Sequence, residues 1–167
     1  MDKSSVMSFN ESNVYCGRGP KKYGGMAYFA KRDFKAGDIV MHGFGEIIDH
    51  QTKHISVQIG PNRHYLPTKW TGKYWNHSCE PNCFARTRSD SFPDMVALKN
   101  IKRGKEITYA YFMTEYLWSP RAYEKRISCL CGAKKCFKKI LSFSQLSNKQ
   151  KNNLKKKKLI SSYLYNI

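Results

Sequence analysis

Carboxylates are scarce in this 167-residue chain: twelve Asp and Glu stand against thirty Lys and Arg, a formal charge of +18. That balance favours contact with polyanions, with solubility alone as the plainer alternative, because part of the excess sits in a lysine-rich C-terminal stretch. Long apolar runs are missing as well. No segment approaches the ~18 residues of a membrane span, and Met1-Asp2-Lys3-Ser4-Ser5 leads into no hydrophobic signal core, so the reading is an intracellular protein with no membrane partner. Without a secretory signal, the six cysteines (Cys16, Cys79, Cys83, Cys129, Cys131, Cys136) are better read as metal ligands than as a disulfide framework. The length fits one domain with short flanks.

Residues 1 to about 20 lack periodicity and read as an extended lead-in, made basic by Arg18 and Lys21-Lys22. Tyr23-Gly24-Gly25 then predicts a turn into a strand over Met26–Ala30, and Lys35-Ala36-Gly37-Asp38 a turn before Ile39-Val40-Met41, together a hairpin. His54–Ile59 alternates like a half-buried strand, and Gly60-Pro61-Asn62-Arg63 turns it into His64-Tyr65-Leu66, a second hairpin. His54 and His64 have no third ligand and read as surface histidines. Met95–Leu98 is a short apolar strand, and Ser119–Arg126 a brief helix or turn. Beyond Leu141 the composition turns to Ser, Asn, Gln and Lys, which predicts a mobile tail or loose helix outside the fold. Its Lys155–Lys158 run resembles a nuclear-import signal.

The densest chemistry lies in Lys73-Tyr-Trp-Asn-His-Ser-Cys-Glu-Pro-Asn-Cys83. Asn76, His77, Ser78 and Asn82 are polar groups that burial penalises unless each finds a partner, and crowding beside aromatics points to a ligand site. Asn76-His77-Ser78-Cys79 followed by Pro81-Asn82-Cys83 resembles the signature of the SET-domain protein lysine methyltransferases. The resemblance implies a mostly β (α+β) fold with a C-terminal pseudoknot, and S-adenosylmethionine against Asn76 and His77. It divides the chain into a lead-in (1–22), a SET domain (23–118), a small post-SET zinc segment (119–142) and a Lys-rich tail (143–167). Gly25-Met26-Ala27 occupies the family's Gly-x-Gly cofactor loop, with Ala27 in place of the second glycine. Tyr74 and Leu130 are further implied cofactor contacts. Gly43-Phe44-Gly45-Glu46 matches a Tyr-x-Gly-Glu step except that Gly43 replaces the tyrosine, so an aromatic wall is missing or comes from Tyr74, Tyr116 or Trp118. Gly17-Arg18-Gly19, the rival glycine loop, reads as a basic turn.

Gly104-Lys105-Glu106-Ile107-Thr108-Tyr109-Ala110-Tyr111 resembles the family's closing element, which assigns Tyr111 as the catalytic tyrosine and Tyr109 as the switch position that limits transfer to mono- or dimethylation. Two tyrosines two apart on a strand share a face. Cys129-Leu130-Cys131 and Cys136 lack a fourth thiolate nearby, and the resemblance supplies Cys79, with Cys83 as competitor. Methyl transfer to an amine is an in-line displacement governed by alignment. A dry channel beside a sulfonium already lowers the lysine pKa, so no general base is demanded of the protein. The implied substrate is a lysine-bearing protein, a histone tail or other chromatin protein, in the nucleus, with nucleic acid contact through the basic surface. A charge of +18 repels a free basic peptide unless the groove is locally acidic, through residues such as Glu115 and Glu124. The rival function is a catalytically silent module that binds nucleic acid or chromatin.

Overall fold

The computed structural model describes residues 1–20, 25–52, 55–117 and 128–167. Lys21-Lys22, Tyr23-Gly24 of the first expected turn, His54, Trp118, Glu124 and the helix or turn expected over Ser119–Arg126 lie outside the described residues.

The expected extended lead-in is instead a helix, α1 (Lys3–Asn13), capped by Asp2, whose side chain accepts from the Ser5 N–H at 2.9 Å. Sequence periodicity gave no sign of it because a polar tether and two isolated apolar contacts, buried Val6 and Phe9 against the His42 ring at 4.4 Å, hold it in place of an apolar stripe. Buried Asn10 donates to the carbonyls of His42 and Trp70 (2.8 and 2.7 Å) and accepts from the His42 N–H at 2.8 Å. Short helices depend on such tertiary contacts.

The strands in chain order are β1 (Val14–Arg18), β2 (Met26–Ala30), β3 (Ile39–His42), β4 (Gly45–Ile48), β5 (Val57–Gly60), β6 (Arg63–Pro67), β7 (Asn76–His77), β8 (Cys83–Thr87), β9 (Pro93–Ala97) and β10 (Thr108–Tyr109). They form small sheets of order β1-β2, β3-β9-β8, β4-β6-β5 and β10-β7. Gly17-Arg18 therefore belongs to a strand paired with β2, not to a basic turn. The hairpin expected between β2 and β3 does not form. The Lys35–Asp38 turn is present, with Gly37 at φ +92°, but β3 leaves it to pair with β9. The second hairpin, β5-β6, does form. All four β5 residues are buried, because the Glu115-Tyr116 segment covers the face expected to be open: Glu115 accepts from the Gln58 N–H and Gln58 from the Tyr116 N–H, both at 2.9 Å. His64 is likewise buried, not on the surface, and burial lowers its pKa to about 4, leaving it neutral.

The C-terminal quarter also corrects the sequence reading. α2 (Asn148–Lys156) begins at Ser147 with a capping box to Gln150, and Phe143, Leu146, Ile160 and Leu164 are buried in the common core. Ser161 N–H donates to the Met113 carbonyl at 2.8 Å and the Tyr163 hydroxyl to the Thr114 carbonyl. Each buried apolar side chain contributes about 1.5–3 kcal/mol, which a polar average composition hides. Among the described residues, no helix is long and apolar enough to cross a membrane.

What positions the site is a parallel seam. Asn76 and His77 of β7 lie opposite Thr108 and Tyr109 of β10, although some thirty residues separate them along the chain. The Ser78 N–H donates to the Tyr109 carbonyl at 3.0 Å, and Asn82 donates to the Glu106 carbonyl (2.7 Å) while accepting from the Thr108 N–H (2.9 Å). The polar residues of the signature thus find the partners that burial demands.

Candidate active site

Asn76 sits at the mouth of the seam. Its side-chain amide donates to the Met26 carbonyl (3.1 Å) and to Glu106 Oε1 (2.9 Å), tying the glycine turn before β2 to the closing element. Gly25 has φ +87°, a conformation glycine adopts freely, and among the described residues a Cβ built on it would meet nothing within 4 Å, which leaves space beside it. Met26 is 37% exposed beside that space. Ala27 is fully buried in β2 opposite Gly17.

His77 is buried and burial lowers its pKa to about 4, so the ring is neutral. Its Nδ1 accepts from the Tyr111 N–H at 3.1 Å, which leaves Nε2 to donate toward the Cys79 sulfur at 3.4 Å. One imidazole therefore joins the closing tyrosine to a cysteine cluster. The Sγ atoms of Cys79, Cys129, Cys131 and Cys136 all lie within 4.8 Å of one another, with Cys79 3.7 Å from Cys129 and 3.9 Å from Cys136. Cys83, the competing fourth ligand, is fully buried in β8 and stands apart from the group. Burial raises the Cys131 thiol pKa, but N–H groups of Cys79 and Ala133 and the neighbouring thiols outweigh it and bring the value to about 6. Leu130, held between two of these cysteines, is 49% exposed.

β10 is only two residues long, and Tyr111 opens a short 3-10 turn (Tyr111–Met113) instead of continuing the strand. The two tyrosines still converge, with ring centroids 5.2 Å apart. The Tyr111 hydroxyl donates to the Trp75 carbonyl at 3.0 Å, and the Trp75 ring meets Tyr109 edge-on at 6.1 Å. Buried Tyr109 places its hydroxyl 3.4 Å from Thr114 Oγ1. Burial raises the pKa of both phenols, so both remain protonated donors.

Gly43 explains its own identity. A Cβ there would fall 2.7 Å from the Tyr65 hydroxyl and 2.8 Å from the Pro93 carbonyl. The space is filled by Tyr65, a fully buried tyrosine delivered from β6, which sequence reasoning passed over. Its one visible signal is an aromatic two residues past a glycine turn. Of the expected substitutes, Tyr74 pairs with Tyr28 (5.8 Å) and Tyr116 is held by its backbone against Gln58. Gly45 is equally constrained, since a Cβ would meet the Leu66 carbonyl at 2.0 Å. Glu115 is buried and hydrogen-bonded on both oxygens, so it is no open groove acid.

Comparison with known proteins places this arrangement. The SET domain family matches residues 25–112, just over half of the chain. Human histone-lysine N-methyltransferase 2D is 27% identical over 146 residues, covering 77% of this chain and 2% of that protein. Histone-lysine N-methyltransferase ATX2 of Arabidopsis thaliana is 28% identical over 132 residues, covering 67% of this chain and 12% of that protein. The chain thus spans a small part of the relatives it matches. Among solved structures, KRYPTONITE in complex with mCHH DNA, an H3(1-15) peptide and SAH superposes with a TM-score of 0.60 at 26% identity, over 77% of this chain and 29% of that one.

Proposed function

The chain belongs to the SET domain family, and from that premise we propose that it is an S-adenosylmethionine-dependent protein-lysine N-methyltransferase that mono- or dimethylates a histone or another basic chromatin protein. The observation that carries this reading is the seam, which sets Asn76 and His77 against Tyr109 and Tyr111 and leaves open space beside Gly25. Relatives that are histone-lysine methyltransferases, and a structural neighbour holding H3 peptide, DNA and SAH, support the substrate class, the cofactor and action in the nucleus on chromatin.

The residues present fit the cofactor. We assign to it the left-handed Gly25, the Asn76 amide and the part-exposed side chains of Met26 and Leu130, with Ala27, Tyr74 and His77 as further contacts. When bound, the cofactor supplies an electrophilic methyl group on a sulfonium. Tyr111, fixed by Trp75 and His77, orients the amine, and Tyr109 occupies volume that further methyl groups require. The departure at Gly43 does not weaken this reading, since Tyr65 fills the space there.

The cysteines fit zinc in the same sense. Tetrahedral thiolate ligation sets sulfurs about 3.8 Å apart, against 3.7 and 3.9 Å here. Cys79, Cys129, Cys131 and Cys136 would hold it and fasten the post-SET segment to the signature. Incubation with methyl-labelled S-adenosylmethionine and histones, nucleosomes or other basic proteins, read by mass spectrometry, tests the function. Labelled mono- and dimethyllysine is expected. Failure to label any of them, together with no cofactor heat in titration calorimetry, would leave the silent binding module.

A further inference from the structure

The C-terminal quarter keeps its lysines uncompensated. Residues 128–167 hold ten Lys, no Arg and no Asp or Glu, and none of the ten forms an ion pair among the described residues. The fold divides the lysines of α2 into two sets. Lys151 and Lys155 turn inward: their Nζ atoms donate to the Ser144 and Tyr165 carbonyls, both at 3.1 Å, and lie over the Phe143 ring at 5.7 and 6.0 Å. The outer side carries Lys149, Asn152, Asn153 and Lys156, at the i, i+3, i+4 and i+7 spacing of one helical face, with Lys157 and Lys158 directly after, and all six are exposed. The helix dipole favours cations in the last turn but disfavours Lys149 in the first, where no acidic residue offsets it. This face is also held beside the site. Ahead of the helix the Phe143 and Ser144 N–H groups donate to the Glu115 and Tyr116 carbonyls (2.8 and 2.9 Å), and beyond it the Ser161 N–H donates to the Met113 carbonyl (2.8 Å). Both flanks of α2 are thus fastened to the residues that follow Tyr111.

We propose that the outer face of α2 binds the phosphate backbone of duplex DNA and so brings the active site to a substrate already carried on DNA. Only the second half of this inference rests on the methyltransferase reading above. A net charge of +18 repels a free lysine-rich peptide, and buried Glu115 supplies no acidic groove to offset it. Toward a substrate wrapped in DNA the same charge is attractive, because neutralising phosphates releases their condensed counterions. Lysine and asparagine side chains suit such contacts, which fix position without reading sequence. Arginine, whose fork reads guanine edges, is absent from residues 128–167, so the face recognises charge and not sequence. No aromatic side chain stands among its six outer residues, which leaves the bases of a single strand nothing to stack on and favours a duplex.

The test is fluorescence anisotropy of a labelled DNA duplex of about 30 base pairs and arbitrary sequence, titrated between about 50 and 200 mM salt. Wild type should lose affinity steeply as salt rises, and the combined variant Lys149→Gln, Lys156→Gln, Lys157→Gln and Lys158→Gln should flatten the slope of log Kd against log salt by about four. A control that removes the same charge from exposed lysines elsewhere, Lys3→Gln, Lys35→Gln, Lys99→Gln and Lys105→Gln, should change the slope far less. Equal flattening in the two variants, no duplex binding by wild type at the lowest salt, or tighter binding of a single-stranded probe of the same length would overturn the inference. Turnover supplies a second readout: the α2 variant should methylate nucleosomes about 10-fold more slowly than wild type, while its rate on free histones does not fall. An undiminished rate on nucleosomes would remove the link between α2 and the substrate. Duplex binding through α2 by a protein that transfers no methyl group would sink the methyltransferase reading and leave this face standing, whereas methyl transfer without α2-dependent binding would do the reverse.

Discussion

The proposed limit on methylation rests on one oxygen, the Tyr109 hydroxyl. The tyrosine ring is packed by Trp75 and Tyr111 and its hydroxyl reaches Thr114 at 3.4 Å, which holds that oxygen in place. Tyr109→Phe should raise the trimethyllysine fraction in peptide mass spectrometry, and an unchanged product distribution would remove Tyr109 from that role. Glu115 carries a second prediction, about stability. Its folded pKa of about 7 exceeds the ordinary 4.5, so the folded state holds a proton that the unfolded chain releases first. Stability should therefore fall as pH rises from about 4.5 to about 7, and urea midpoints across that window should flatten in Glu115→Gln. The residue types of the site were legible, since Asn76, His77, Tyr109 and Tyr111 stand in ordered motifs. Tyr65 was not, because filling the volume at Gly43 is a relation between β3-β4 and β6 that no local pattern records.

Among the elements, the two-residue pair β7-β10 does most to build the site, although so short a parallel pairing is weak by itself. Side chains reinforce it: Asn82 bonds across to Glu106 and Thr108, and His77 caps the Tyr111 N–H. The cysteine cluster extends the same connection, since Cys79 follows β7 directly. Cys79→Ser should lower bound zinc from about one per chain in elemental analysis and reduce activity, because the segment bearing Leu130 comes loose before the β-core melts. Cys83→Ser should keep the metal while costing stability, as a buried polar group replaces a thiol. Retained metal in Cys79→Ser would undo the link between signature and post-SET segment. Strand stretches with apolar or turn signals, such as β5-β6 and β9, were readable locally, but partner choice was not: β3 sits near β2 in sequence yet pairs with β9.

For the whole molecule, the C-terminal quarter changes most between sequence and structure. Residues 125–167 hold twelve Lys and Arg and no Asp or Glu, a composition that reads as solvated tail. Leu164 is nonetheless fully buried, and Tyr163 reaches Thr114 next to Glu115. Leu164→Ala should therefore destabilise the entire domain by about 2–5 kcal/mol in urea unfolding, whereas a detached tail would give no change. The sequence by itself determined the family, the mostly β class, the candidate tyrosines and Asn-His pair and three metal-type thiols, with the fourth left between Cys79 and Cys83, because chemistry-bearing residue types and turn formers are local facts. Only the tertiary structure decided that the lead-in is a helix, that the lysine-rich end belongs to the core, that Tyr65 stands behind Gly43, that Cys79 joins the other three thiols and that Glu115 is buried without a cation among the described residues. The physical reason is the same in each case: α1 is held by Asn10 bonded to distant backbone with Val6 and Phe9 packed beside it, the C-terminal segment by a few apolar side chains among many lysines, and Glu115 by partners some sixty residues away, and such long-range satisfaction leaves no period in the chain.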